Sequence, residues 1–91
     1  MASLHVEIRG RVQGVGFRWF VRETARKLGL SGWVSNRPDG NVELAAEGAE
    51  EALEKLRTAV ENGPPGAMVQ SVNELPPPDG NTLPTPFTIV R

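Results

Sequence analysis

The chain has 91 residues, of which 38% are hydrophobic and 23% charged, a length and composition typical of one small folded domain. We therefore expect a single domain over residues 1–91. Cysteine is absent and His5 is the only histidine, which excludes disulfides and thiolate nucleophiles and gives metal binding little support. No apolar run approaches a membrane span, and Met1–Leu4 leads directly into alternating sequence, so we expect a cytoplasmic protein without a membrane partner.

The formal net charge of −1 conceals an uneven distribution. Residues 1–40 carry seven Arg or Lys and three Asp or Glu, a net charge of +4, whereas residues 41–91 carry three and eight, a net charge of −5. A positive amino-terminal half attracts a small anion more readily than a long polyanion.

The first 30 residues predict a strand followed by a helix. Leu4, Val6 and Ile8 alternate with polar residues, which is the period of a strand with one buried face, and this strand ends at Gly10. After a glycine-rich loop, apolar residues recur at the spacing of a helix over residues 18–28; they are Phe17, Val21, Ala25 and Leu28.

The middle of the chain predicts a hairpin and a second helix. Residues 31–37 and 41–47 form its two strands, and Pro38-Asp39-Gly40 is the turn between them. From Ala49, apolar residues trace one helical face, and Asn62-Gly63-Pro64 ends the helix.

The last third predicts a fourth strand over residues 67–75 and a short final strand over residues 87–90 at an edge of the sheet. Between them, residues 76–86 carry five of the eight prolines, too many for regular structure. The element order matches an α+β, ferredoxin-like βαββαβ sandwich, with two helices on one face of an antiparallel sheet and a short extra C-terminal strand.

This topology predicts which segments meet. A right-handed crossover makes the first two strands parallel, with the third strand between them. The loop after the first strand and the carboxyl end of the second then lie at the same end of the sheet. We therefore expect Asn36 to lie near the glycine-rich loop.

The loop itself has the features of an anion site. Gly14 and Gly16 allow positive φ angles and let a ligand approach the backbone. Amide N–H groups of the loop and of the helix start then converge on negative charge. Arg18 lies where the helix dipole disfavours a cation, which suggests a functional reason for it. The simpler alternative is an ordinary turn followed by a solvated arginine.

Two nucleotide-binding motifs are excluded by the same residues. A Walker-type loop would end in Gly-Lys-Ser/Thr, whereas this loop ends in Gly-Phe-Arg. The dinucleotide fingerprint would need a third glycine where Trp19 stands.

Residues 10–18, Gly-Arg-Val-Gln-Gly-Val-Gly-Phe-Arg, and residues 32–43, Gly-Trp-Val-Ser-Asn-Arg-Pro-Asp-Gly-Asn-Val-Glu, resemble the two signature segments of the acylphosphatase family. The likeness extends over the whole chain, including the closing Phe87-Thr88-Ile89. It implies hydrolysis of a carboxyl–phosphate anhydride to a carboxylate and inorganic phosphate, without metal or cofactor. Ser35 departs from the longer or basic side chain that the family more often has before the asparagine.

The resemblance also implies roles for individual residues. Arg18 is the phosphate-binding arginine, and Asn36 orients the attacking water. Backbone amides of the loop hold the phosphoryl oxygens; these are the amides of Gln13, Gly14, Val15, Gly16 and Phe17. We interpret the chain as a monomer that acts on a small acyl phosphate such as acetyl phosphate. Carbamoyl phosphate is a further candidate, because the family's domain also occurs in larger carbamoyl-transfer proteins.

Two other functions fit the predicted fold. A non-catalytic anion-binding or regulatory module could use the same fold, since fold does not determine function. RNA binding through stacked aromatics is disfavoured because tyrosine is absent, aromatic residues make up 5% and the net charge is slightly negative. His5 is interpreted as a surface residue, and Trp19 and Trp33 as core or rim aromatics.

Overall fold

The computed structural model describes residues 2–77 and 83–90. The elements are, in chain order, β1 (Ala2–Arg11), α1 (Phe17–Lys27), β2 (Ser31–Asn36), β3 (Val42–Gly48), α2 (Glu50–Asn62), β4 (Met68–Glu74) and β5 (Thr88–Val90). Every predicted element is present, with modest shifts at its ends. The ferredoxin-like α+β fold is confirmed.

The sheet has the strand order β4-β1-β3-β2-β5. Both β1 and β2 pair antiparallel with β3, so they run parallel to each other with β3 between them, as predicted. The edge strand β5 pairs parallel with β2, and it is the one exception to an otherwise antiparallel sheet among the described strands.

The strand register places the end of β1 and the end of β2 at the same end of the sheet. Val42 at the start of β3 pairs with Ile8 on one side and with Asn36 on the other. Because Ile8 is close to the end of β1, the loop that follows β1 begins beside the carboxyl end of β2.

Both helices pack on one face of the sheet. Residues spaced three or four apart on each helix point to the same side, and these are the buried ones: Phe17, Val21 and Ala25 on α1, and Leu53, Leu56 and Val60 on α2. They join alternate strand residues in one hydrophobic core: Val6, Ile8, Val34, Val42, Leu44 and Ala46.

The opposite face of the sheet is less exposed than its polar sequence predicts. Ala45 is fully buried there because His5 and Trp33 pair with it from the two neighbouring strands and their rings lie 6.0 Å apart. The side chain of His5 is only 16% exposed, and its Nε2 lies 2.6 Å from Oε2 of Glu43. Its Nδ1 donates to the carbonyl oxygen of Pro76 at 2.6 Å. His5 therefore lies on the predicted polar face of the sheet, where its side chain is partly covered rather than freely exposed.

The proline-rich region contains no helix or strand at residues 76–77 and 83–86. The rest of that prediction, residues 78–82, lies outside the described residues. In the described part of the chain, neither helix is long and apolar enough to cross a membrane.

The buried face of α2 predicts a large difference between neighbouring substitutions. Leu56 is fully buried, so Leu56→Ala should lower the free energy of unfolding by about 2–5 kcal/mol through lost transfer energy and a residual cavity. Lys55→Ala changes an exposed residue of the same helix and serves as the control, with an expected change of about 0.5 kcal/mol or less. Urea unfolding measures both, and equal losses would contradict this account of the core.

Candidate active site

A cleft of about 270 Å³ opens between the loop after β1, the start of α1, the end of β2 and the middle of β5. Its walls come from four elements that are distant in sequence. The residues lining it are Val12, Gly14, Gly16, Phe17, Arg18, Trp19, Asn36 and Ile89. Predicted site residues from the loop and from β2 therefore meet in one cleft.

Both glycines of the loop adopt left-handed conformations. The φ angle is 76° at Gly14 and 75° at Gly16, values that residues with a Cβ rarely adopt. A Cβ built at either position would find no other atom within 4 Å, so it would project into open space. Glycine at these positions both permits the turn and leaves the backbone accessible from the cleft.

The backbone N–H groups along this loop have no hydrogen-bond acceptor in the described part of the chain. From Gln13 to Trp19, none donates a hydrogen bond to an oxygen of a described residue, and Phe20 is the first to bond, to the carbonyl of Gly16 at 3.0 Å. The N-cap Gly16 has no side chain to accept from the first turn, and that turn contains no acidic residue. The start of α1 thus presents uncompensated donors and the positive end of the helix dipole to the cleft.

Arg18 adds a full positive charge to these donors. It lies in the first turn of α1, is half-buried and lines the cleft. None of the ion pairs among the described residues includes it. By contrast, Nη1 of Arg37 lies 2.8 Å from Oε1 of Glu43. Arg18 is therefore available to an anion that enters the cleft.

Asn36 brings an unsatisfied acceptor to the same place. It is the last residue of β2 and has the same strand parity as the buried Val34, which puts it on the helix-covered side of the sheet. Its Oδ1 atom is buried and has no hydrogen-bond partner among the described residues. Leaving such an acceptor unpaired costs about 1–3 kcal/mol, so the described fold does not satisfy this carboxamide.

The predicted site residues divide into two groups. Gly14, Gly16, Phe17, Arg18 and Asn36 line the cleft. Gln13 and Val15 do not. The side chain of Gln13 instead bonds to the β2–β3 hairpin, and Val15 packs against the core. Binding of an anion by their backbone amides stays a prediction.

Three lining residues were not predicted as part of the site. Val12 and Ile89 are apolar, so their residue types do not indicate a functional role in the sequence. Ile89 reaches the cleft only because β5 pairs with β2. Trp19 was predicted to be a core or rim aromatic, and it is 56% exposed at the cleft. The guanidinium of Arg22 lies 4.5 Å from the centre of its ring, a cation–π contact.

The sequence matches a known family over nearly its whole length. The family model described as Acylphosphatase matches residues 4–89. The chain belongs to the acylphosphatase family. An acylphosphatase from Trichormus variabilis is 50% identical over 72 residues, which cover 79% of this chain and 71% of that protein.

Solved acylphosphatase structures are similar over nearly the whole chain. The crystal structure of acylphosphatase from Bacillus subtilis superposes with a TM-score of 0.84 at 46% identity, covering 100% of both chains. An acylphosphatase from Coxiella burnetii gives 0.82 at 39% identity, covering 97% of this chain and 90% of that one. The chain is thus an enzyme of this family that hydrolyses the carboxyl–phosphate anhydride bond, as the resemblance implied.

The two ends of α1 offer a matched test of the glycine loop. Gly16 and Gly29 flank the helix with φ angles of 75° and 71°, and neither has an atom within 4 Å of an added Cβ. Gly16→Ala and Gly29→Ala should each lower the free energy of unfolding by about 1–2 kcal/mol. Only Gly16→Ala should also weaken inhibition by inorganic phosphate, by about tenfold if one charge-assisted hydrogen bond is lost. Equal phosphate inhibition constants in the two variants would contradict an anion site at this loop.

Proposed function

We propose that Arg18, the loop amides of residues 13–17 and Asn36 together carry the hydrolysis of small acyl phosphates. The observation that supports this most directly is the presence of Arg18, Asn36 and both loop glycines in the lining of one cleft. Cationic and neutral hydrogen-bond donors come from the loop and the start of α1, and the carboxamide of Asn36 comes from β2.

In this proposal, Arg18 binds the phosphoryl group. A guanidinium is planar and can donate two parallel hydrogen bonds to phosphoryl oxygens, whereas a lysine ammonium acts as a point charge. The helix dipole makes its position at the helix start electrostatically unfavourable in the free protein. A bound dianion attracts the guanidinium and makes the same position favourable. The absence of a carboxylate partner among the described residues means that no ion pair within them has to break first.

The loop amides stabilise the phosphoryl oxygens in this proposal. Negative charge in the transition state of phosphoryl transfer is spread over three oxygens, so catalysis depends mainly on positioning and on electrostatic stabilisation. Backbone N–H groups held in a turn are already oriented and need little reorganisation when the reaction occurs. Residues 13–17 supply such groups without competing acceptors among the described residues.

Asn36 orients the attacking water through its amide. The water oxygen forms a bond to phosphorus, the bond from phosphorus to the bridging oxygen breaks, and its electron pair leaves on the carboxylate. A carboxamide cannot accept a proton at neutral pH, so we assign the water proton to a non-bridging phosphoryl oxygen of the substrate. No strong base is required, because a carboxylate is a good leaving group.

The size and lining of the cleft support a small substrate. Its volume of about 270 Å³ lies just below the usual range of ligand pockets, which is about 300–1,000 Å³. The phosphoryl group faces the loop, and the acyl group lies towards Trp19 and Ile89. Acetyl phosphate and carbamoyl phosphate both fit this description, and neither requires a cofactor.

We also propose that residues 1–91 act as a single domain and a monomer in the cytoplasm. A monomer is supported by the distribution of large exposed hydrophobic side chains in the described part of the chain: Trp19, Met68 and Val90. They lie on α1 and on the opposite sheet edges β4 and β5, so they do not suggest one continuous apolar interface.

Arg18→Lys tests the guanidinium. It retains the charge but loses the bidentate geometry, so we expect kcat/KM for benzoyl phosphate to fall by about 10²-fold, equivalent to one or two charge-assisted hydrogen bonds. Inhibition by phosphate should weaken in parallel. Arg9→Lys, at an exposed position outside the cleft lining, is the control and should leave both values unchanged. Near-normal kinetics in Arg18→Lys would remove Arg18 from the site.

Asn36→Ala tests the orientation of water. Loss of one positioned donor or acceptor typically reduces kcat by about 10²-fold or more. The phosphate inhibition constant should change little, because the amides and Arg18 remain. Asn73→Ala, at an exposed position of β4, is the matched control. An unchanged kcat in Asn36→Ala would mean that another group orients the water.

A further inference from the structure

The side chain of Gln13 connects the loop to the hairpin that carries Asn36. Its Nε2 atom donates to the carbonyl oxygen of Arg37 at 2.9 Å and to that of Asn41 at 3.0 Å. Carbonyl oxygens only accept, so the amide nitrogen must face them both. Both N–H groups of the carboxamide are therefore used on the hairpin, and the side chain is not free to bind substrate with them.

The two acceptors lie where the hairpin closes. The N–H of Arg37 donates to the carbonyl of Asn41 at 2.8 Å, and the N–H of Gly40 donates to the carbonyl of Arg37 at 3.1 Å. Gln13 thus binds carbonyl groups that already accept hydrogen bonds within the hairpin. The turn retains its own bonds without Gln13, so removing this side chain is not expected to unfold the hairpin.

Gln13 spans a gap that the sheet leaves open. β1 and β2 are separated by β3, so no ladder of hydrogen bonds links the loop after β1 to the end of β2. Among the described residues, no hydrogen bond joins residues 12–16 to residues 36–41 except the two that the Gln13 side chain donates. One of them holds the carbonyl group of Arg37, the residue directly after Asn36.

The two connected segments differ in how firmly they are held. Val12 and Phe17, at either end of the loop, are each only 1% exposed and anchor the loop in the core. On the hairpin, the turn residues 38–40 are all exposed, and the ion pair between Arg37 and Glu43 at 2.8 Å is only partly buried. Loss of the two hydrogen bonds from Gln13 should therefore increase the mobility of the hairpin more than that of the loop.

From these observations we infer that Gln13 is a positioning residue: its carboxamide fixes the distance between the phosphate-binding loop and Asn36, and hence the placement of the attacking water. This inference rests on the proposed role of Asn36. It assigns to the Gln13 side chain a role separate from that of its backbone amide, which belongs to the loop.

Gln13→Met is the variant of choice. Methionine preserves the length of the side chain and adds no charge, but it cannot donate. We expect kcat for benzoyl phosphate to fall by about tenfold, within the usual range of coupling between neighbouring groups. KM and phosphate inhibition should stay within about threefold, because a group that acts on the transition state lowers kcat and kcat/KM together.

A double-mutant cycle with Asn36→Ala separates positioning from a general structural effect. If Gln13 acts through Asn36, then Gln13→Met should reduce kcat by less than about twofold when Asn36 is already alanine. Asn62→Ala is the control, because its carboxamide also donates to a backbone carbonyl, that of Thr58 at 3.0 Å, but on α2. It should leave kcat unchanged in both backgrounds.

Two results would overturn the inference. An equal loss of kcat on Gln13→Met in the presence and absence of Asn36 would show that Gln13 acts independently of it. A raised KM with unchanged kcat would place the side chain in substrate binding instead. Full activity of Asn36→Ala alone would refute the proposed role of Asn36, and that single variant therefore distinguishes failure of the proposed function from failure of the Gln13 inference.

Discussion

The cleft depends on a set of backbone donors that the described part of the protein leaves without acceptors. From Gln13 to Trp19, the N–H groups make no hydrogen bond to a described oxygen, and Arg18 has no carboxylate partner there. Folding the loop in this way requires two glycines at positive φ and forgoes capping of α1. This locally unfavourable backbone leaves a preoriented surface of positive potential, which can stabilise an anion without rearrangement.

The remainder of the fold holds this surface against a second element. β3 pairs with both β1 and β2, so the ends of these two parallel strands lie one strand apart. Val12 and Phe17 bury the two ends of the loop in the core, while the carboxamide of Gln13 reaches across to the hairpin. The position of Asn36 is thus set by the sheet, the core and one side chain together.

Charged groups on the helix-free face support the same hairpin from its other side. Glu43 contacts both His5 and Arg37, at 2.6 and 2.8 Å, and Arg37 follows Asn36 in the chain. Because these groups are only partly exposed, they are less strongly screened than typical surface ion pairs. The single histidine therefore belongs to the framework of the sheet rather than to the lining of the cleft.

Alternation and helical spacing predicted β1, β3 and both helices, because burial of one face imposes a period on each. Turn residues and the proline-rich region delimited the other strands. The loop glycines were visible because they permit a tight anion-binding turn, and Arg18 because a cation is unfavourable at a helix start. The predicted topology placed Asn36 near that loop, and the family resemblance identified the roles of these residues. Tertiary structure decided what local pattern cannot encode. Ile89 enters the cleft only through the pairing of β5 with β2, and His5 is partly covered because Trp33, Glu43 and Pro76 lie against it. The partners of the Gln13 carboxamide lie more than 20 residues away along the chain, so they could be found only from the folded arrangement.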